Sequence, residues 1–193
     1  GDQEIKAVTA RYKIGQPNIL WLGEFVAHKN VTALVSAFAA LSRKIRSHYK
    51  LVLAGEKRGD WQEVKKEADR RGVGNLVSFP GFIKDPDLPA LFSSADLFVY
   101  PSLYEGFGLP PLEAMACGIP VICSNSSSLP EVVGDGGLLV APRSAALSAA
   151  ITEVLTNDNL KQRLRRRGRE RAALFSWDTA AAKTLDLYRE LAR

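Results

Sequence analysis

Cysteine and histidine are scarce in this chain of 193 residues, with two of each. Cys117 and Cys123 cannot build a disulfide scaffold, and with His28 and His48 far apart they supply too few ligands for a zinc cluster, so no metal site is expected. Long hydrophobic runs are missing as well. The apolar stretches at 97–101 and 120–123 stop far short of the ~20 residues that cross a bilayer, and no basic-then-apolar leader opens the sequence. A cytoplasmic protein is the expectation. The common phosphate fingerprints are also absent. Gly23-Glu24-Phe25-Val26-Ala27-His28-Lys29 has neither the spaced glycines of Gly-x-Gly-x-x-Gly nor the Gly-Lys-Ser/Thr ending of a P-loop, which argues against nicotinamide and ATP signatures.

What is present is enough apolar material, 46% of the residues, for one sizeable core. The formal net charge of +5 has a local source. Residues 159–173 carry Lys161, Arg163, Arg165, Arg166, Arg167, Arg169 and Arg171 against Glu170 alone. No aromatic interleaves this charge, so nucleic acid is not an expected partner. A solvated helix face is the first reading of residues 161–171, and peripheral contact with an anionic membrane at its inner face is the second.

Short β-rich runs at 19–22, 51–54, 77–79, 97–100, 121–123 and 138–140 alternate with segments of helical period. Val31, Leu34, Val35, Phe38, Leu41 and Ile45 make one apolar stripe; Leu88, Leu91, Phe92 and Ala95 make a shorter one. Parallel strands need crossovers, and the usual crossover is a helix. The predicted fold is therefore α/β, a Rossmann-like parallel sheet of about six strands with helices on both faces and a helical C-terminal tail. Ser128 and Glu131 have capping-box spacing, and Gly72, Gly118 and Gly134 fall where helices should stop. The expected organisation is a linker or N-terminal extension at 1–17, the sheet domain at 18–175 and a C-terminal helix at 176–193 with Leu185, Tyr188 and Leu191 on one stripe.

Ligands of open α/β sheets bind beyond the carboxyl ends of the strands, so the loops there are the places to search. After the fourth strand comes Glu105-Gly106-Phe107-Gly108-Leu109-Pro110-Pro111-Leu112-Glu113. Gly106 and Gly108 permit close backbone approach, and the amides of residues 106–109 precede a helix whose N-terminus is partly positive. Pro110 and Pro111 cost nothing in a first turn. Two carboxylates beside an anion site make sense if the ligand also presents hydroxyls, with Lys29 as countercharge. A diphosphate flanked by sugars meets all three demands.

Through Glu105 and Glu113, spaced Glu-x7-Glu, and the Leu-Pro-Glu-Val-Val-Gly-Asp segment at 129–135, the sequence closely resembles the retaining glycosyltransferases of family four, enzymes of two-domain GT-B architecture. The likeness runs from about residue 18 to the end. It implies the donor-binding half of a hexosyltransferase, using a UDP- or GDP-sugar with no cofactor and no metal, and partnered by an acceptor-binding N-terminal domain. By the same resemblance Glu113 accepts from the ribose hydroxyls, Glu105 faces the transferred sugar, and Gly106, Phe107, Gly108 and Leu109 bring amides to the phosphates and sugar. Lys29, after Gly23, would neutralise the leaving diphosphate with His28 as helper, and Ile83 would meet the base through its main chain. Lys29 and Glu105 are the expected catalytic residues. Glu24 stands where many members place a second phosphate-binding Arg. The loop at 124–128 and residues 54–57 resemble members that use GDP-mannose. A nucleotide-sugar-binding module without catalytic activity of its own is the alternative.

Overall fold

The continuous apolar runs become strands buried on both faces. In the computed structural model, which describes residues 1–192, they are β1 (Asn18–Leu22), β2 (Lys50–Ala54), β3 (Val77–Gly81), β4 (Leu97–Tyr100), β5 (Val121–Ser124) and β6 (Leu138–Val140). All pair in parallel in one sheet of order β3-β2-β1-β4-β5-β6. The central strands β4 and β5 are buried at every position, whereas the edge strands β3 and β6 are mostly half-buried. That gradient explains why near-uniform apolar sequence, rather than alternation, marks the middle of this sheet.

The helices are α1 (Asp2–Arg11), α2 (Val31–Ala40), α3 (Arg43–His48), α4 (Trp61–Arg70), α5 (Leu88–Ser93), α6 (Leu109–Ala116), α7 (Leu129–Val133), α8 (Ser144–Thr156), α9 (Asp158–Ala172) and α10 (Trp177–Leu191). They pack in two groups, α2 with α4 and α8, and α6 with α5 and α9, which accords with a layer on each face of the sheet. Leu34, Phe38, Phe92, Phe98, Leu147 and Ile151 fill the core between helices and strands. Truncating one of these aromatics to alanine should cost about 3–5 kcal/mol.

Four expectations need adjustment. Residues 1–17 are not simply a linker: α1 packs against α5 and buries Val8, and Arg11 and Tyr12 bond Asp87 at 2.7–2.8 Å. The stripe from Val31 to Ile45 is two helices, because Leu41 turns extended and the Ser42 hydroxyl caps α3 by accepting from Ile45 N–H. Ser128 precedes α7 as its spacing suggests, but makes no side-chain cap. The basic stretch is α9, with Leu160, Leu164 and Gly168 buried. Arg163, Arg166, Arg167 and Arg169 are exposed, as a solvated face requires, with Arg166 paired to Glu170 and Arg167 to Asp135 at the surface; the adjustment is Arg171, which turns inward to donate to the Val132 and Glu131 carbonyls and lies near the Phe175 ring.

The three predicted glycine stops hold. Gly72, Gly118 and Gly134 have positive φ after α4, α6 and α7, a conformation costly for other residues. The C-terminal helix forms as expected across α10, with Ser176 capping it at Thr179 N–H, and Leu185, Tyr188 and Leu191 exposed. Among the described residues no helix is long and apolar enough to cross a membrane.

Candidate functional site

The order of the strands reverses direction between β1 and β4, and the loops leaving these two strands open a crevice at the carboxyl edge of the sheet. A cleft of about 430 Å³ lies there, lined by both loops. Two contacts fix them to each other. Leu103 N–H donates to the His28 carbonyl at 2.7 Å, and Asn30 Nδ2 donates to the Pro101 carbonyl at 3.1 Å while also reaching the Pro142 carbonyl, after β6, at 2.9 Å. Asn30 has φ +56, the left-handed conformation that Asn tolerates better than most side chains, and there it also starts α2.

Lys29 and Glu105 meet in the cleft. The Lys29 Nζ lies 2.7 and 2.9 Å from the two Glu105 carboxylate oxygens and donates to the Tyr100 hydroxyl at 3.0 Å. The side chains retain only 15% and 10% exposure, so this is a partly desolvated pair and not a solvent-screened surface contact. Burial alone would raise the Glu105 carboxyl, but the Lys29 ammonium and the neighbouring Ser102 and Tyr100 hydroxyls outweigh it and hold the group below the ordinary carboxylate range. Tyr100 is buried at the end of β4, and burial followed by the Glu105 charge drives its phenol far above the usual tyrosine value. Tyr100 therefore stays neutral, a fixed hydroxyl against both charges. The buried Ser102 Oγ sits beside the carboxylate with no well-formed hydrogen bond among the described residues.

Beyond Glu105 the chain turns into α6. Gly108 caps this helix at φ +112, a conformation that favours glycine, and a Cβ there would stand 2.7 Å from Leu129 Cδ2, so that side chain would have to shift. Among the described residues none of the Gly106, Phe107, Gly108 and Leu109 N–H groups finds an intramolecular acceptor. Consecutive unpaired amides at a helix N-terminus form a site for an anion.

The structure thus brings Gly23, Lys29, Glu105, Phe107, Gly108 and Leu109 to one cleft. Gly106 belongs to the same loop but is not among the residues lining it, and Ile83 and Glu113 also lie outside its walls. Ile83 is buried, in the turn after β3. Glu113 is exposed on α6, and its carboxyl is raised above the ordinary value, first by partial burial and then by the nearby Asp85 charge. Lys29 and Glu105, expected to address different parts of a ligand, instead occupy each other. Glu24 lines the cleft, and Arg58 approaches it at 4.0 Å while bonding Glu56 at 2.8 Å, a cation that sequence reasoning overlooked. Tyr100 and Asn30 were likewise missed. Only position could have flagged Tyr100, as the last strand residue before the glycine loop. Among the described residues no group of three His, Cys, Asp or Glu side chains gathers as a metal centre would require.

Comparison with known proteins gives the family and the fold. The chain is 40% identical to the O-antigen chain mannosyltransferase B of Escherichia coli over 191 residues, which is 97% of this chain and 50% of that protein. It is 33% identical over 192 residues to a GDP-mannose-dependent alpha-(1-6)-phosphatidylinositol monomannoside mannosyltransferase of Mycobacterium tuberculosis, covering 93% of this chain and 49% of the relative. The chain therefore spans about half the length of these two curated relatives. Among solved structures it superposes on sucrose-phosphate synthase from Thermosynechococcus elongatus with a TM-score of 0.83 at 33% identity, covering 96% of this chain and 48% of that one. With residues 3–171 matching the family described as glycosyl transferases group 1, the chain belongs to that family, and its six-stranded sheet is the GT-B type of Rossmann-like domain.

Proposed function

We propose that this chain is the donor-binding domain of a retaining hexosyltransferase and that it binds a nucleoside diphosphate sugar across the crevice between the β1 and β4 loops. The observation that carries the reading is the meeting of Lys29, Glu105 and the unpaired amides of residues 106–109 at the N-terminus of α6. The diphosphate takes the amides and the Lys29 ammonium, which then leaves Glu105 for phosphate. Glu105 turns to the hydroxyls of the transferred sugar. Glu113, exposed on α6 with no cation beside it among the described residues, gains two hydrogen bonds from a ribose diol. Ile83 meets the base through its main chain.

As the sugar–phosphate bond breaks, charge grows on the leaving diphosphate. Lys29 and the preorganised amides stabilise that charge, at roughly 3–4 kcal/mol for a well-placed donor. The departing oxygen accepts the proton of the acceptor hydroxyl on the same face, so configuration at the anomeric carbon is retained. These cationic and dipolar groups make divalent metal unnecessary for holding the diphosphate. The acceptor is held by a further domain, in keeping with the half-length coverage of the relatives. Mannose carried by GDP is the favoured donor, because the two relatives are mannosyltransferases by name and one is called GDP-mannose-dependent.

The test is calorimetric titration of the chain with GDP, UDP, ADP and their hexose conjugates in the presence of a chelator. GDP-mannose should bind most tightly, and a saturating ligand at 100 times its Kd should stabilise the fold by about 2.7 kcal/mol. Binding that requires added manganese would contradict the metal-free reading, and an inverted product anomer from the complete enzyme would contradict the retaining one.

A further inference from the structure

The loop after β5 holds the glycine loop more closely than a connector requires. Ser127 Oγ accepts from Glu105 N–H at 2.8 Å and donates to the Glu105 carbonyl at 3.1 Å. The Ser128 hydroxyl is shared between the carbonyls of Glu105 at 3.0 Å and Phe107 at 2.8 Å. Leu129, buried, closes the space a side chain at Gly108 would need. Three consecutive residues therefore grip residues 105–108.

Helix initiation does not account for this contact. Ser128 has the spacing to cap α7 together with Glu131, yet no side-chain cap forms and the hydroxyl is given to the glycine loop. Ser127 adopts φ +48, a left-handed conformation that a serine seldom takes unless the surroundings enforce it. A local preference is overridden twice in adjacent residues, and both departures serve the same neighbour.

Peptide planarity supplies the consequence. In a trans peptide the carbonyl of one residue and the N–H of the next point to opposite sides. Fixing the Glu105 and Phe107 carbonyls on the Ser128 side therefore turns the Gly106 and Gly108 N–H groups away from it. Both of those amides are among the groups that find no intramolecular acceptor in the described residues. We propose that Ser128, supported by Ser127, is a positioning residue that presets the Gly106 and Gly108 amides to receive a phosphate oxygen, an inference that rests on the donor-site reading above. Ser128 acts through the backbone and does not touch the ligand. Without its hydroxyl the Phe107–Gly108 peptide loses its side-chain holder and the Glu105–Gly106 peptide keeps only Ser127, and an arriving anion must order them at its own cost in affinity.

The test uses inorganic pyrophosphate and GDP as probes, calorimetry for affinity and the ¹⁵N–¹H resonances of Gly106 and Gly108 for geometry. Wild type should bind both probes and shift both amide resonances. Ser128→Ala should bind about tenfold more weakly, with the Gly108 resonance already displaced before ligand is added and that of Gly106, still held through Ser127, displaced less. Ser128→Thr, which keeps the hydroxyl, should restore affinity and resonances. If Ser128→Ala does not fold, Ser128→Cys, with a weak donor of similar shape, answers the same question. A Ser128→Ala protein that melts lower yet binds both probes as wild type does, with unmoved glycine resonances, would reduce the contact to a structural staple and overturn the proposal. Failure of wild type to bind either probe would instead remove the donor-site reading itself.

Discussion

Glu105 and Glu113 belong to one loop–helix unit and live in opposite electrostatic surroundings. Glu105 is largely buried, bound through both oxygens by Lys29, and held below the ordinary carboxylate range. Glu113 is exposed on α6, has no ion pair among the described residues, and is raised above that range. The first is satisfied by the protein; the second is improved only by donors that come from outside. On the proposed reading, one side chain would serve the fold and the site together, and the other ligand recognition alone. Mutations should separate these two behaviours.

Removing the partner of Glu105 gives the largest effect. Lys29→Ala in the complete enzyme should lower turnover by about two to three orders of magnitude, the scale of one preorganised donor on a developing charge. It should also destabilise the fold by roughly 1–3 kcal/mol, because a carboxylate with 10% exposure loses its cation; full burial would cost more. Steady-state kinetics and urea unfolding measure the two. A Lys29→Ala enzyme of unchanged turnover would show that the pair is structural and that the leaving group is stabilised elsewhere.

Changing Glu113 should reverse the pattern. Glu113→Ala is expected to weaken nucleoside diphosphate binding by about 1.5–3 kcal/mol, the range for hydrogen bonds to a charged group. Stability should move by no more than about 0.5 kcal/mol, as for other exposed positions. Calorimetry with GDP and a thermal melt settle it together. Equal affinity in the variant would remove the ribose role, and a large loss of stability would erase the contrast with Glu105.

Much of this contrast was legible in the sequence, though not its electrostatics. The six strands follow from continuous apolar runs, and the glycine loop with Glu105 and Glu113 follows from the spacing of chemically telling residues. Burial of Lys29 against Glu105 could not be read this way, since the two are brought together only by the meeting of the β1 and β4 loops at the reversal of strand order. Ser128 misled for a related reason. A capping box is a local pattern, and a tertiary contact with the Glu105 and Phe107 carbonyls claimed the hydroxyl first. The break at Leu41 was also hidden, because the apolar stripe continues across it while Ser42 begins a new helix. The roles of Asn30 and Tyr100 depend on partners far along the chain, Pro142 for the one and Lys29 for the other.

The smallest expected effect is the order in which the two carboxylates titrate, and it sharpens the comparison without changing a residue. As pH falls from about 7, Glu113 should protonate first, above the ordinary 4.5, and Glu105 only below it. The signs differ. The depressed value of Glu105 means that its pairing stabilises the fold fully above about 4.5 and is lost as pH falls through the lower folded value. The raised value of Glu113 means that its ionised form slightly opposes folding, a strain relieved by protonation. Nucleotide affinity should therefore decline, by a few-fold at most, in a window where unfolding free energy has not yet fallen. Glu67 extends that separation: burial opposes its charge, but Arg71, Arg70 and Ser36 hold it at about 2, so its stabilising share disappears later still. Parallel GDP calorimetry and urea unfolding across the range would read the order directly. Because the phosphate itself gains a proton near pH ~6, Glu113→Gln serves as the control. Its affinity profile should keep the phosphate step and lose the lower one, and a lower step that survives in Glu113→Gln would assign it to some other group.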